Sequence, residues 1–329
     1  MQVEALFRPR SIAVIGASEK PTIGRRLIAS LDRIGFSGAI FPINPGYATV
    51  LGRRCYASIG ELPETPDIAL FCMGHERVLD AFLAAAERGV KGAVIYDGGF
   101  AERGEEGRRL QTRIEGICRD ARIALCGPNC MGVLNPHHRS TTYLQELRDN
   151  AGLAGNVGIV SQSGAFCVSL VGDVRRFGFS HLVSSGNEAV LVAADYLEYL
   201  VDDPNTRIIG AFIETVRQPD RFVAALDRAA ARAKPVVVVK VGRTERTRQA
   251  VTTHTGGEAG DPDAVSALLR AHGATEPAGF HGELPHLRRP IGRKAPAVVG
   301  QHLEEGEDPL RLLRQPWPAR LLSCGRSAP

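Results

Sequence analysis

The feature that most constrains this chain is the alternation, up to residue 275, of strand-sized apolar runs with helix-sized amphipathic stretches. Ser11 to Ile15 is a continuous apolar run closed by Gly16-Ala17-Ser18, and Ile23 to Ile34 then carries apolar residues at helical spacing. The pattern continues with strands over Ala39 to Ile43, Ile68 to Met73, Val90 to Tyr96 and Ile123 to Leu125, and helices over Val78 to Arg88 and Glu105 to Asp120. Polar, turn-rich residues from Pro136 to Gly155 interrupt it. It resumes with strands over Val157 to Val160, His181 to Ser184, Arg207 to Glu214 and Pro235 to Val241, and helices over Ala165 to Phe177, Val192 to Val201, Phe222 to Ala233 and Asp263 to Ala271. Strands separated by helices of this length pair in parallel through right-handed crossovers. The expectation is an α/β protein of two doubly wound lobes with parallel sheets, residues 1–135 and 156–275, joined by a link over 136–155.

The length of 329 residues suits two cores. Hydrophobic residues at 44% and charged residues at 23% are ordinary for a folded chain. A net charge of +4 without a dense Lys/Arg block before residue 275 argues against a nucleic-acid partner. Met1 to Arg10 has no apolar signal region and no apolar run is long enough to span a bilayer, so no membrane partner and a cytoplasmic location are expected. Seven cysteines (55, 72, 118, 126, 130, 167 and 324) lack paired zinc-ligand spacing, which fits reduced thiols and no metal site. From Glu276 onward, prolines interrupt every element, and the tail to residue 329 is expected to be disordered, or out-of-frame translation of a GC-rich gene.

Three loops carry candidate chemistry. Gly16, Ala17 and Ser18 follow the first strand, where a glycine lets a pyrophosphate approach the backbone and the next helix offers free amides. The spacing is not GxGxxG, and the second strand ends in Asn44-Pro45 rather than an acidic residue, so NAD is disfavoured. Ser161, Gln162, Ser163 and Gly164 form a small polar strand-to-helix turn that suits an anion or serves as a helix cap; it is not the GxSxG elbow of a serine hydrolase. His254 lies in the polar loop Thr253 to Gly260, where no core is available to pack it. Imidazole accepts phosphoryl groups readily when a carboxylate orients it, and Glu214, at the end of its apolar strand, is suited by position to do so.

In order, the segments VIGAS, FPINP, GGFAE, CGPNCMGVLN, GNVGIVSQSGAF, VSSGNEA, KPVVVVKVGRTE and THTGGEAG resemble the α subunit, or N-terminal half, of the NDP-forming acyl-CoA synthetases, relatives of succinyl-CoA synthetase. The resemblance implies a Rossmann-like CoA-binding domain followed by a flavodoxin-like ligase domain. It implies a relay in which an ATP-grasp module phosphorylates His254 beside Glu214, the phosphoryl group passes to a carboxylic acid, and CoA attacks the acyl phosphate. Ser161 to Gly164 would receive the phosphate. Gly16, Ala17, Ser18, Asn44, Tyr96, Asp97 and Gly98 would contact CoA, with Asn129 and Cys130 near its thiol.

Two departures stand out: Gly46 replaces a lysine common after INP, and Gly257-Glu258 replaces a small apolar pair after His-Thr-Gly. No ATP-grasp segment is present, so the chain alone should not turn over ATP. ATP or ADP, with Mg, would enter through a β-type partner, and an oligomer is expected. The competing readings are a non-catalytic CoA or acyl-CoA sensor, like the regulatory domain of some protein acetyltransferases, and an inactive truncated product, to which the tail points. The identity of the acid and the choice of ADP or GDP stay open.

Overall fold

The alternation builds two sheets. The computed structural model describes residues 3–147, 152–172, 177–245, 247, 249, 251 and 261–277; the tail from residue 278 and the loop holding His254 lie outside these. Helix α1 (Glu4–Phe7) leads into β1 (Ser11–Ile15), α2 (Ile23–Ile34) and β2 (Ala39–Ile43). A small hairpin, β3 (Thr49–Val50) and β4 (Arg53–Arg54), precedes β5 (Ile68–Phe71), α3 (Val78–Glu87), β6 (Gly92–Ile95), α4 (Glu105–Ala121) and β7 (Ala124–Cys126). The first sheet is ordered β2-β1-β5-β6-β7, with every neighbouring pair parallel.

All five residues of β1 are buried because helices cover both faces of the sheet. Ile12 and Val14 share a core with Leu27, Ile28 and Leu31 of α2. Ala13 and Ile15 face the other way, toward Phe82 and Ala85 of α3 and Ile114 of α4. Each such aliphatic burial is worth about 2 kcal/mol. Helix α2 stops at Gly35, whose φ of 75° closes the last turn and turns the chain toward β2.

The chain continues through β8 (Gly132–Asn135), β9 (Ser140–Thr141), β10 (Ala154–Ser161), α5 (Gly164–Gly172), β11 (Phe179–Ser184), α6 (Ala193–Asp202), β12 (Ile208–Ile213), α7 (Pro219–Ala231), β13 (Val236–Lys240) and α8 (Pro262–Ala271). The second sheet is ordered β13-β12-β10-β11-β8-β9. Strands β10 to β13 are parallel, as expected, but β8 joins β11 antiparallel and β9 joins β8 antiparallel. Part of the segment read as a link is therefore sheet. Strands of four and two residues are too short to show a period, and their register is held by Thr142, whose amide donates to Val133 O at 2.8 Å while its Oγ1 accepts from Val133 N at 2.9 Å.

Both sheets belong to one compact unit, Met1–Glu276. Val14 and Leu27 of the first lobe share a continuous core with Val160, Val183 and Leu197 of the second. Polar ties reinforce it: the Tyr96 hydroxyl donates to Thr142 O at 2.7 Å, Asn135 Nδ2 donates to Phe7 O at 3.1 Å, and Arg33 pairs with Glu146.

Candidate functional site

Doubly wound sheets bind ligands beyond the carboxyl ends of their strands, where the strand order reverses. In the first sheet the reversal falls between β1 and β5, and a cleft of about 580 Å³ opens there, lined in part by Gly16, Ser18, Lys20, Asn44, Tyr47 and Arg77. Gly16 has a φ of 86°, and a Cβ on it would lie 2.5 Å from Cys72 O, so the close approach of the two strand ends requires glycine. Ser18 Oγ accepts from Lys20 N at 3.0 Å and lies 3.1 Å from the Tyr47 hydroxyl. Asn44 donates to Ala17 O at 2.7 Å and accepts from Gly46 N at 2.9 Å, which makes it a brace of the turn. A glycine turn with two cations beside a helix start suits a phosphate-bearing ligand. Lys20 and Arg77 were not singled out from the sequence; Arg77 comes from the segment after β5, which only the fold brings to this cleft.

In the second sheet the reversal falls between β10 and β12, and there the turn Ser161–Gly164 meets Glu214. Gln162 Oε1 accepts from Glu214 N at 2.7 Å and Thr215 N at 2.8 Å, and its Nε2 donates to Thr215 O at 2.8 Å. Ser161 Oγ accepts from Ser163 N at 3.0 Å and donates to Ser163 O at 2.8 Å, which closes the turn that starts α5. Glu214 is buried. Behind it, the buried Lys240 Nζ donates to Glu214 O at 2.8 Å and Val241 O at 2.5 Å. Burial pulls the Lys240 ammonium down to about 8, against the opposing pull of Glu214.

The two strand ends meet along a seam. Asn187 N donates to Pro128 O at 2.9 Å, and Gly186, at a φ of 62°, lies so close that a Cβ would sit 2.3 Å from the same oxygen. Asn129, at a φ of 57°, donates through Nδ2 to Asn187 Oδ1 at 3.3 Å. Asp97 accepts from His75 N at 2.8 Å, and its backbone carbonyl accepts from Asn129 N at 3.0 Å. Gly98 sits where a Cβ would approach Glu102 Oε1 at 3.1 Å. Beside the seam, Glu188 is buried at a φ of 56°, and Ser185 Oγ donates to its Oε1 at 2.8 Å. Desolvation raises its carboxyl to about 7, although hydrogen bonds and Arg217 pull the other way.

The fold thus groups Ser161, Gln162, Ser163, Gly164 and Glu214 at one strand edge, and Gly16, Ala17, Ser18 and Asn44 at another. The Tyr96 and Cys130 side chains turn into the core: Cys130 Sγ donates to Ile95 O at 3.5 Å, and burial pushes its thiol well up. His254 lies outside the described residues. Glu188 and Lys240 were missed as individual residues; a lysine ending a four-valine strand is the visible signal for Lys240.

Comparison with known proteins agrees with this geometry. A CoA binding domain family matches residues 10–136, and a succinyl-CoA ligase like flavodoxin domain family matches residues 154–282. The chain carries this pair of domains in that order. Over 291 residues it is 38% identical to trans-feruloyl-CoA synthase FCS1 of an unknown prokaryotic organism, covering 87% of this chain and 41% of that protein. It is 35% identical over 306 residues to the α subunit of acetate–CoA ligase (ADP-forming) I of Pyrococcus furiosus, covering 89% and 65%. The structure of the dinucleotide forming acetyl-coenzyme A synthetase 1 of Ca. Korarchaeum cryptofilum, in complex with phosphate and ADP, superposes with a TM-score of 0.78 at 32% identity, over 84% of this chain and 60% of that one. The chain is thus similar to the α-type, CoA-binding and ligase part of the NDP-forming acyl-CoA synthetases, and spans less than two thirds of the length of these relatives.

Proposed function

We propose that this chain is the α-type catalytic part of an NDP-forming acyl-CoA synthetase, acting in the cytoplasm on a small carboxylic acid and CoA, and completed by an ATP-grasp module that uses ATP and Mg. The observation that carries this reading is the Gln162 side chain, which locks the phosphate-type turn of α5 to the turn bearing Glu214. In this reading Glu214 orients His254, which takes a phosphoryl group from the partner and passes it to a carboxylate oxygen of the acid. The thiol sulfur of CoA then attacks the acyl carbon, and the C–O bond to phosphate breaks. The amides at the start of α5 stabilise the phosphoryl charge. Gly16, Ser18, Lys20 and Arg77 hold the phosphates of CoA, and Asp97, Gly98 and Asn129 line its path toward the seam.

The test is to incubate the full chain with acetyl-CoA and labelled phosphate, with and without an ATP-grasp partner, and assay acid-labile, base-stable label. Label absent from His254→Ala establishes the relay. No label with any partner, together with tight CoA binding, favours the CoA-sensor or truncated-product reading instead.

A further inference from the structure

Among the described residues, Glu188 Oε2 and Thr215 Oγ1, at the strand ends of the second sheet, are buried and have no hydrogen-bond partner. Glu188 is only 3% exposed and Thr215 8%. Leaving such atoms without a hydrogen bond is costly unless a ligand supplies one. Both residues border the turn that starts α5. Gln162 of that turn bonds the Thr215 backbone in both directions and lies against the Glu188 carboxyl. Ser185 Oγ bridges Glu188 Oε1, at 2.8 Å, and Ser161 O, at 3.3 Å. An ionised Glu188 would repel an anion placed at this turn, whereas a protonated one would offer it a donor.

We propose that Glu188 is an anion-binding residue of the ligase lobe: with a proton on Oε2 its carboxyl donates to the phosphoryl group held at the start of α5, and loss of that proton releases the group. This rests on reading Ser161–Gly164 as the phosphoryl site. The proton comes from solvent on binding and returns to it on release, so no other bond changes. The groups facing Glu188 suit the exchange. Arg217 Nε, from the turn after β12, forms an ion pair with Oε2 at 3.8 Å, too long for a hydrogen bond, and opposes protonation. Tyr196 of α6 is kept neutral by burial, and the start of the same helix, at Ala193, lies beside the Glu188 carboxyl. Burial raises the carboxyl to about 7, which favours proton exchange there near neutral pH.

Sulfate is the probe, because its charge is constant over the range of interest. Its binding to the full chain is measured by calorimetry near pH 6 and near pH 8.5, in buffers of different ionisation enthalpy. The wild type should take up a proton with sulfate above neutrality and lose up to about tenfold in affinity per pH unit there. Glu188→Gln, which keeps a donor at every pH, should bind with no such slope. An equal slope in Glu188→Gln, or no proton uptake by the wild type, overturns the proposal while leaving the phosphoryl site in place. No sulfate binding by the wild type at either pH overturns that site reading as well. His254→Ala, measured alongside, should keep the proton uptake; its loss there would assign the proton to the histidine and overturn the proposal even if Glu188→Gln does not fold.

Discussion

Asn187 Nδ2 donates to Glu102 Oε2 at 2.5 Å, joining a turn of the second lobe to the loop that follows Gly98 in the first. The other oxygen of Glu102 accepts from Gly99 N at 2.6 Å and Phe100 N at 3.1 Å, so one carboxylate shapes its own loop and holds the neighbouring lobe. Asn187→Ala should cost about 1–3 kcal/mol in urea unfolding, since it leaves a charged acceptor short of a partner. It should also weaken CoA binding several-fold by loosening residues 98–100. An unchanged urea midpoint would show that the tie contributes nothing.

Gly16→Ala forces a side chain into the left-handed region and against Cys72 O at 2.5 Å. The strain should cost about 1–3 kcal/mol, or displace the strand ends and reduce CoA affinity about tenfold. Equilibrium dialysis with CoA, alongside thermal melting, separates the two outcomes; wild-type values in both would refute the packing argument.

Lys240 introduces a pH dependence of known sign. Its native value of about 8 lies below the ordinary lysine value, so between about pH 8 and 10.5 the unfolded chain binds more protons and stability rises with pH. Lys240→Met should remove that rise, amounting to about 3 kcal/mol across the window. It should also reduce His254 labelling, because the Glu214 turn loses its anchor. Denaturant titrations at four pH values would show whether the slope disappears.

His181 works at the acid end. Its ring is buried between Phe7 and Tyr199, neither nitrogen makes a hydrogen bond among the described residues, and Asp203 Oδ2 stands 3.6 Å from Nδ1. Burial lowers it to about 4, against the pull of Asp203. The unfolded chain therefore takes up this proton first, and stability present above about pH 6.5 is lost as pH falls toward 4, by about 3 kcal/mol. His181→Leu should flatten this part of the acid-unfolding curve; an unaltered curve would place the acid sensitivity elsewhere.

The helices and parallel strands were legible because each fills a whole buried period, as SIAVI does in β1 and the apolar face of Ile23–Ile34 does in α2. The edge strands were not, since Ser140–Thr141 has two residues and owes its place to partners fixed elsewhere. At the site, a turn such as Ser161–Gly164 announces itself by small polar residues between a strand and a helix. Glu188 and Arg77 do not, because their importance arises from burial and from the meeting of distant loops. Tyr96 and Cys130 carry motif positions whose backbones line the strand ends while their side chains serve the core.

The short hairpin before the second lobe bears on how this protein could be divided or recombined. Strand β8 supplies the partner for the outer edge of β11. A shortened chain beginning at Ala154 would expose that edge as a template for self-association, whereas one beginning ahead of Gly132 would carry its own cover. A workable junction for exchanging the ligase lobe between proteins therefore falls before the hairpin, inside the stretch of sequence that otherwise belongs to the CoA-binding half.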